Sequence, residues 1–148
     1  MTEAKVDIII VEDDPNDAEL IMRVFRKHNL TNKIIHLKDG EEALNYLFKQ
    51  GGQGDNSALL SPKVILLDLK LPKIDGIEIL QRIKSDELTK NIPVVVLTSS
   101  AEDRDIKAAY NLGVNSYVTK PIKFEEFAKV VSELRMYWVL LNKPYGQY

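Results

Sequence analysis

Five short apolar or β-branched runs, each followed by a stretch with helical spacing, constrain this chain more than any other feature. The runs are Val6 to Val11, Ile34 to Leu37, Val64 to Leu67, Ile92 to Leu97 and Ser116 to Thr119. After the first, Ala18, Ile21, Met22 and Phe25 recur at the i, i+3, i+4, i+7 spacing of one helix face. Ala43, Leu44 and Leu47 follow the second run, Ile79, Leu80 and Ile83 the third, and Ile106, Ala109 and Tyr110 the fourth. Phe124, Phe127, Val131, Leu134, Trp138 and Leu141 follow the fifth. Strand then helix, five times over, predicts an α/β chain with a mostly parallel sheet covered on both faces. The first, third and fourth runs are apolar almost throughout, as strands buried on both faces are. The second has Lys33, His36 and Lys38 in and around it and reads as an edge strand.

The helix starts are partly written in the sequence. Asp14 before Pro15 reads as an N-cap and first helical position, with Asp17 near the positive end of that helix. Asp39-Gly40-Glu41-Glu42 opens the second helix in the same manner. Gly51 to Pro62 reads as one long, tolerant loop. A length of 148 residues suits one domain over 1–148, with a C-terminal helix and a short tail. The absence of cysteine excludes disulfides, thiolate metal sites and cysteine nucleophiles. With 20 basic against 22 acidic residues there is no basic excess of the kind nucleic acid requires. No secretory signal or membrane-length apolar run is visible, so the expected location is the cytoplasm, without membrane contact.

In open α/β sheets, ligands bind beyond the carboxyl ends of the strands, where the strand order reverses. The first run ends in Glu12-Asp13-Asp14, the third in Asp68, the fourth in Thr98-Ser99-Ser100, and the fifth in Lys120-Pro121. A strand order 2-1-3-4-5 makes the first and third strands neighbours and brings these carboxylates to one rim. Two like charges about 4 Å apart cost roughly 4 kcal/mol at an effective dielectric near 20. The cluster therefore calls for a cation or for raised pKa values. All-oxygen donors with no cysteine or nearby histidine favour a hard ion, and Mg²⁺ fits. Lys120 and Thr98 add a positive charge and a hydroxyl at the same rim. This set suits phosphoryl transfer to an acyl oxygen, with Asp68 as nucleophile. Alone, Asp68 would read as a turn or cap residue, Thr98 as a strand residue and Lys120 as a surface lysine. Asp14 is more simply an N-cap than a ligand.

In this order and spacing, Ile8-Ile9-Ile10-Val11-Glu12-Asp13, Ile65 to Pro72 with Asp75-Gly76, Pro93 to Thr98, and Tyr117-Val118-Thr119-Lys120-Pro121 resemble the receiver domain of two-component response regulators. The resemblance runs from about Val6 to Leu141 and implies a flavodoxin-like fold with five helices. It further implies that Asp68 is phosphorylated. Asp13, Asp68 and the backbone carbonyl of Lys70 would ligate Mg²⁺ directly, and Glu12 would do so through water. Thr98 would be the switch hydroxyl, Lys120 the lysine that contacts the phosphoryl oxygens, and Tyr117 the aromatic residue that changes rotamer with Thr98. The Lys120–Pro121 bond is expected to be cis. Within the family, the long loop and the stretch Tyr137 to Asn142 resemble small stand-alone regulators of the cyanobacterial-phytochrome type. Lys70 departs from the small polar residues often found two places after the acceptor, which bears on the access of attacking water.

The resemblance also implies a sensor histidine kinase, phytochrome-like, as phosphodonor, and a chain that catalyses only its own phosphorylation and dephosphorylation. The last helical stretch is apolar beyond one face at Val130, Tyr137 and Val139, unless Tyr145 and the tail fold over it. A homodimer through the fourth helix, fifth strand and fifth helix is expected. Three other functions compete. An aspartyl-phosphate hydrolase would want a carboxylate where Lys70 stands. A flavodoxin-type electron carrier would want a phosphate loop where three carboxylates stand. A phosphorylation-independent binding module has no need of Asp68, Thr98 and Lys120 together. His28 and His36 read as surface or edge residues.

Overall fold

The computed structural model describes residues 8–28, 33–48 and 62–141, with side chains as far as 133. The start of the first run at Val6, residues 51–61 of the expected loop, the side chains of Leu134 to Leu141, and Tyr145 lie outside the described residues. Among the described residues five strands and five helices alternate. They are β1 (Ile8–Val11), α1 (Pro15–Lys27), β2 (Ile34–Leu37), α2 (Gly40–Leu47), β3 (Val64–Leu67), α3 (Gly76–Ser85), β4 (Val94–Thr98), α4 (Asp103–Asn111), β5 (Ser116–Thr119) and α5 (Phe124–Leu141). The sheet order is β2-β1-β3-β4-β5 and every pairing is parallel.

The registers align the strand ends. Val11 stands beside both Leu37 and Leu67, and Thr98 beside Thr119. Residues immediately after β1, β3, β4 and β5 are thereby delivered to one rim. The fourth strand starts two residues later than its apolar run suggests. Pro93 has no N–H to give the ladder, and only its carbonyl takes part, accepting from Ile65 N at 2.9 Å. The strand also runs one residue further, so Thr98 is its last residue.

Two cores lie on the two faces of the sheet. Ile9, Val11, Ile65, Leu67, Val94 and Val96 pack against Ala43 and Leu47 of α2, Ile79, Leu80 and Ile83 of α3, and Ala109 of α4. Ile8, Ile10, Val64, Leu66, Val95 and Leu97 pack against Ile21, Val24 and Phe25 of α1 and Phe127 and Val131 of α5. Each of the larger side chains contributes about 1.5–3 kcal/mol by leaving water. Phe25 and Phe127 meet edge to face at 6.0 Å between ring centroids. Among the described side chains, Tyr110 is the exception to the helical stripes. It is half exposed, stacked at 6.5 Å on the Tyr117 ring rather than buried under α4.

The caps fall where the sequence places them. Asp14 accepts from Asn16 N and Asp17 N, and Asp39 accepts from Glu42 N. The loop after β3 is held tightly. A Cβ on Gly76 would stand 2.4 Å from Leu69 Cα and 2.6 Å from the Asp68 carbonyl oxygen, so only glycine lets α3 begin so close to Asp68. In the same loop Lys73 has φ 74°, and its ammonium lies 3.4 Å from Glu41 and 3.8 Å from Asp39 at the start of α2. The Lys120–Pro121 bond is cis.

Candidate functional site

The ends of β1, β3 and β5 each supply part of the site. Glu12 and Asp13 follow β1, where the chain turns into α1. Asp68 follows β3, with its N–H on the Val11 carbonyl at 3.0 Å. Lys120 follows β5, with its N–H on the Thr98 carbonyl at 2.7 Å. The Lys120 ammonium lies 2.8 Å from Glu12 Oε2, 2.9 Å from Asp68 Oδ2 and 2.9 Å from Asp17 Oδ2. Glu12 and Asp68 are almost wholly buried, at 1% and 3% exposure, whereas Asp13 is exposed. One carboxylate oxygen from each of Glu12, Asp13 and Asp68 lies within 4.8 Å of the others.

Sequence reasoning singled out Glu12, Asp13, Asp68, Lys70, Thr98, Tyr117 and Lys120. Four of these form the carboxylate–ammonium cluster. Lys70 meets it through its backbone, donating its N–H to Asp68 Oδ1 at 2.9 Å, while its ammonium points to Asp105 Oδ2 at 3.8 Å. Thr98 is fully buried, and its Oγ1 accepts from Ser100 N at 3.3 Å. Tyr117 is half-buried on β5 and donates its hydroxyl to the Ser100 carbonyl at 2.9 Å. Burial pushes the Tyr117 phenol up; the Ser100 hydrogen bond opposes this, and Asp105, Asp68 and Glu102 add to it.

Three residues were not anticipated. Asp17 belongs to the site as the third carboxylate on Lys120, not only as a helix-end charge. Its place in the first turn of the helix that leaves Glu12-Asp13 was the available signal. His36 is an edge residue, as read, but its Nε2 lies 2.7 Å from the Glu12 carbonyl oxygen and ties β2 to the acidic turn. Asp105 joins Lys70 to Ser100, whose Oγ donates to it. Nothing in the local sequence marks that contact.

The electrostatics are those of an acid cluster short of positive charge. Glu12, Asp17 and Asp68 stand around one ammonium, and Asp13 lies beside Glu12 and Asp68. Burial pushes the Glu12 carboxyl from 4.5 up to about 7, with the Asp68 charge adding to the rise and hydrogen bonds from Lys120 and Asp14 opposing it. Burial would lower Lys120, but the bonds to Glu12, Asp17 and Asp68 outweigh it and hold the ammonium above the ordinary lysine range. Glu12 Oε1 is buried without a hydrogen-bond partner among the described residues. An orphaned buried oxygen beside two further carboxylates fits a divalent cation with oxygen ligands.

Comparison with known proteins agrees with this geometry. Residues 8–132 match the response regulator receiver domain. The chain is 45% identical to "Probable methanogenesis regulatory protein FilR2" of Methanothrix harundinacea over 94% of this chain and 87% of that one. It is 40% identical to response regulator Rcp1 of Synechocystis over 89% and 88% of the two chains. The Mn²⁺-bound form of Rcp1 superposes with a TM-score of 0.73 over 91% of this chain and 94% of that one. The phosphorylated cyanobacterial phytochrome response regulator RcpA, 38% identical, superposes with a TM-score of 0.75 over 95% and 98%.

The Glu12 environment carries a pH signature. With divalent cations chelated, the folded chain holds the Glu12 proton more tightly than the unfolded chain does. The resulting contribution to stability is fully present below pH 4.5 and is lost as pH rises to about 7. The shift bounds the loss at about 3 kcal/mol. Urea unfolding in chelator is expected to show this decline, and Glu12→Gln to flatten it. Superimposable pH profiles for the two proteins would mean that Glu12 ionises as an ordinary carboxyl.

Proposed function

The chain belongs to the response regulator receiver domain family, and from that premise we propose that Asp68 is its phosphoacceptor. The observation that carries the proposal is the 2.9 Å contact between Asp68 and Lys120, 52 residues apart in sequence, at the buried rim of the sheet. Aspartate phosphorylation is the mechanism of this family, and sensor histidine kinases are its donors. In the transfer an Asp68 carboxylate oxygen bonds to phosphorus. The phosphorus–nitrogen bond of the donor phosphohistidine breaks, and its electron pair returns to the imidazole nitrogen.

The residues divide the work. Asp68 Oδ1 is oriented by the Lys70 N–H and Oδ2 by the Lys120 ammonium. Lys120 stands beside the position that the phosphoryl oxygens take and offsets their charge. Asp13, Asp68 and the Lys70 carbonyl would hold Mg²⁺ directly, and Glu12 through water. When bound, that ion supplies the remaining positive charge for the incoming phosphoryl group. Thr98 and Tyr117 carry the change outward. Tyr117 already bonds the loop that begins at Thr98, so a moved Thr98 hydroxyl and a moved phenol are linked through Ser100. The chemistry is limited to the chain's own phosphorylation and dephosphorylation. The hydrolase reading loses ground because Lys70 occupies the place of its general acid, with its ammonium turned to Asp105.

A phytochrome-like sensor kinase in the cytoplasm is the donor that the likeness to Rcp1 and RcpA favours. We place the output surface at α4, β5 and α5, where half-exposed Tyr110 packs against the Tyr117 ring beside the switch. A homodimer through this face is the reading we favour.

Two measurements test these statements. Intact mass after incubation with a small acyl-phosphate donor is expected to rise by one phosphoryl group only with Mg²⁺ present, and not at all in Asp68→Asn. Equal labelling of Asp68→Asn would move the acceptor elsewhere. Sedimentation of the full chain with a phosphoryl mimic is expected to show dimer, and a strict monomer at high concentration removes the proposed interface.

A further inference from the structure

Asp105 lies on α4, away from the carboxylate cluster, yet it touches two elements of the site. Its Oδ2 accepts from Ser100 Oγ and lies 3.8 Å from the Lys70 ammonium. Ser100 in turn donates its N–H to Thr98 Oγ1 and receives the Tyr117 hydroxyl on its carbonyl. The Lys70 backbone is fixed at the acceptor by its N–H on Asp68 Oδ1, while 57% of its side chain is exposed. Its ammonium is thus carried on a base anchored at Asp68 and lies beside an anion on α4.

We infer that Asp105 is a positioning residue that competes with the phosphorylated acceptor for the Lys70 ammonium and so sets how fast the phosphoryl group is lost. Asp105 offers one negative charge. A phosphoryl group on Asp68 offers up to about two, on oxygens that accept strongly. The Lys70–Asp105 contact is long at 3.8 Å and screened by solvent at its exposed lysine end, although Asp105 is mostly buried, so it is weak and easily opened. Phosphoryl loss needs a water oxygen to bond to phosphorus opposite the Asp68 oxygen. The phosphorus–Asp68 bond then breaks, the carboxylate is restored, inorganic phosphate leaves and a proton passes to solvent. A lysine stem and ammonium drawn over the phosphoryl group occupy the space that water needs. Lysine held by Asp105 leaves that space open. The same exchange releases one of the two contacts that Asp105 makes, loosening α4 from the acceptor loop.

This inference rests on Asp68 being the acceptor, and one experiment separates the two. The full-length parent, Asp105→Asn, Lys70→Asn and the double variant are phosphorylated with a small acyl phosphate and Mg²⁺, the donor is removed, and intact mass is followed in time. Asparagine at 105 removes the charge yet can still accept from Ser100. Asp105→Asn is expected to lose its phosphoryl group about twofold to fivefold more slowly than the parent, the range a weak, solvent-screened ion pair supports. Lys70→Asn is expected to lose it faster, and adding Asp105→Asn to Lys70→Asn is expected to change nothing. Equal rates for the parent and Asp105→Asn overturn the inference and leave the acceptor standing. The same slowing without Lys70 overturns it too, since Asp105 would then act by another route. No mass gain in the parent overturns both the acceptor and the competition built on it.

Discussion

One ammonium shared among three carboxylates holds the functional end of this molecule together. Lys120 reaches Glu12, Asp17 and Asp68 within 2.9 Å, and these residues come from the ends of β1, β3 and β5 and the start of α1. Buried charges of one sign cannot be placed this close without a partner. The lysine therefore fixes where the strands must end relative to each other. Its charge is also insufficient. Asp13 adds a further carboxylate, and Glu12 Oε1 is left buried and unpaired among the described residues. A site in deficit of positive charge is primed for a cation, and with the cation for an anionic group that both can hold.

Much of this was legible in the sequence because the fold writes itself in periodicity. Runs such as Ile8 to Val11 and Val64 to Leu67, apolar on both faces, can only be central strands, and the helices between them force parallel pairing. Strand ends are then read directly, which is why Asp13, Asp68 and Lys120 could be named. What was not legible depends on side chains crossing between elements. Asp17 looked like a helix-end charge, and only the approach of β5 to α1 makes it a partner of Lys120. Tyr110 fitted the helical stripe of α4, yet the Tyr117 ring draws it to the surface. Asp105 has no local pattern at all, since its partners come from two separate loops.

The polar contacts on the α4 side form a path distinct from the carboxylate cluster. It runs from Asp68 through the Lys70 backbone and ammonium to Asp105, then to Ser100, and from Ser100 to Thr98 and Tyr117. Beneath it, α3 begins close against the loop after β3, where a Cβ on Gly76 would collide with Leu69 and the Asp68 carbonyl oxygen. The receiver architecture is shared with Rcp1 and RcpA. The chemistry belongs to the rim, and the specificity of input and output to the surfaces around it.

The charge deficit at the rim is tested most directly by calorimetric titration of Mg²⁺ into the metal-free full-length chain and its Asp13→Asn variant. One site in the parent, weakened at least about tenfold by the substitution, is the expected result, tenfold being the lower end of what even outer-shell partners cost. No binding in the parent would mean that Lys120 alone satisfies the cluster; equal affinity in the two proteins would mean that the cation does not use Asp13, and either result contradicts the account.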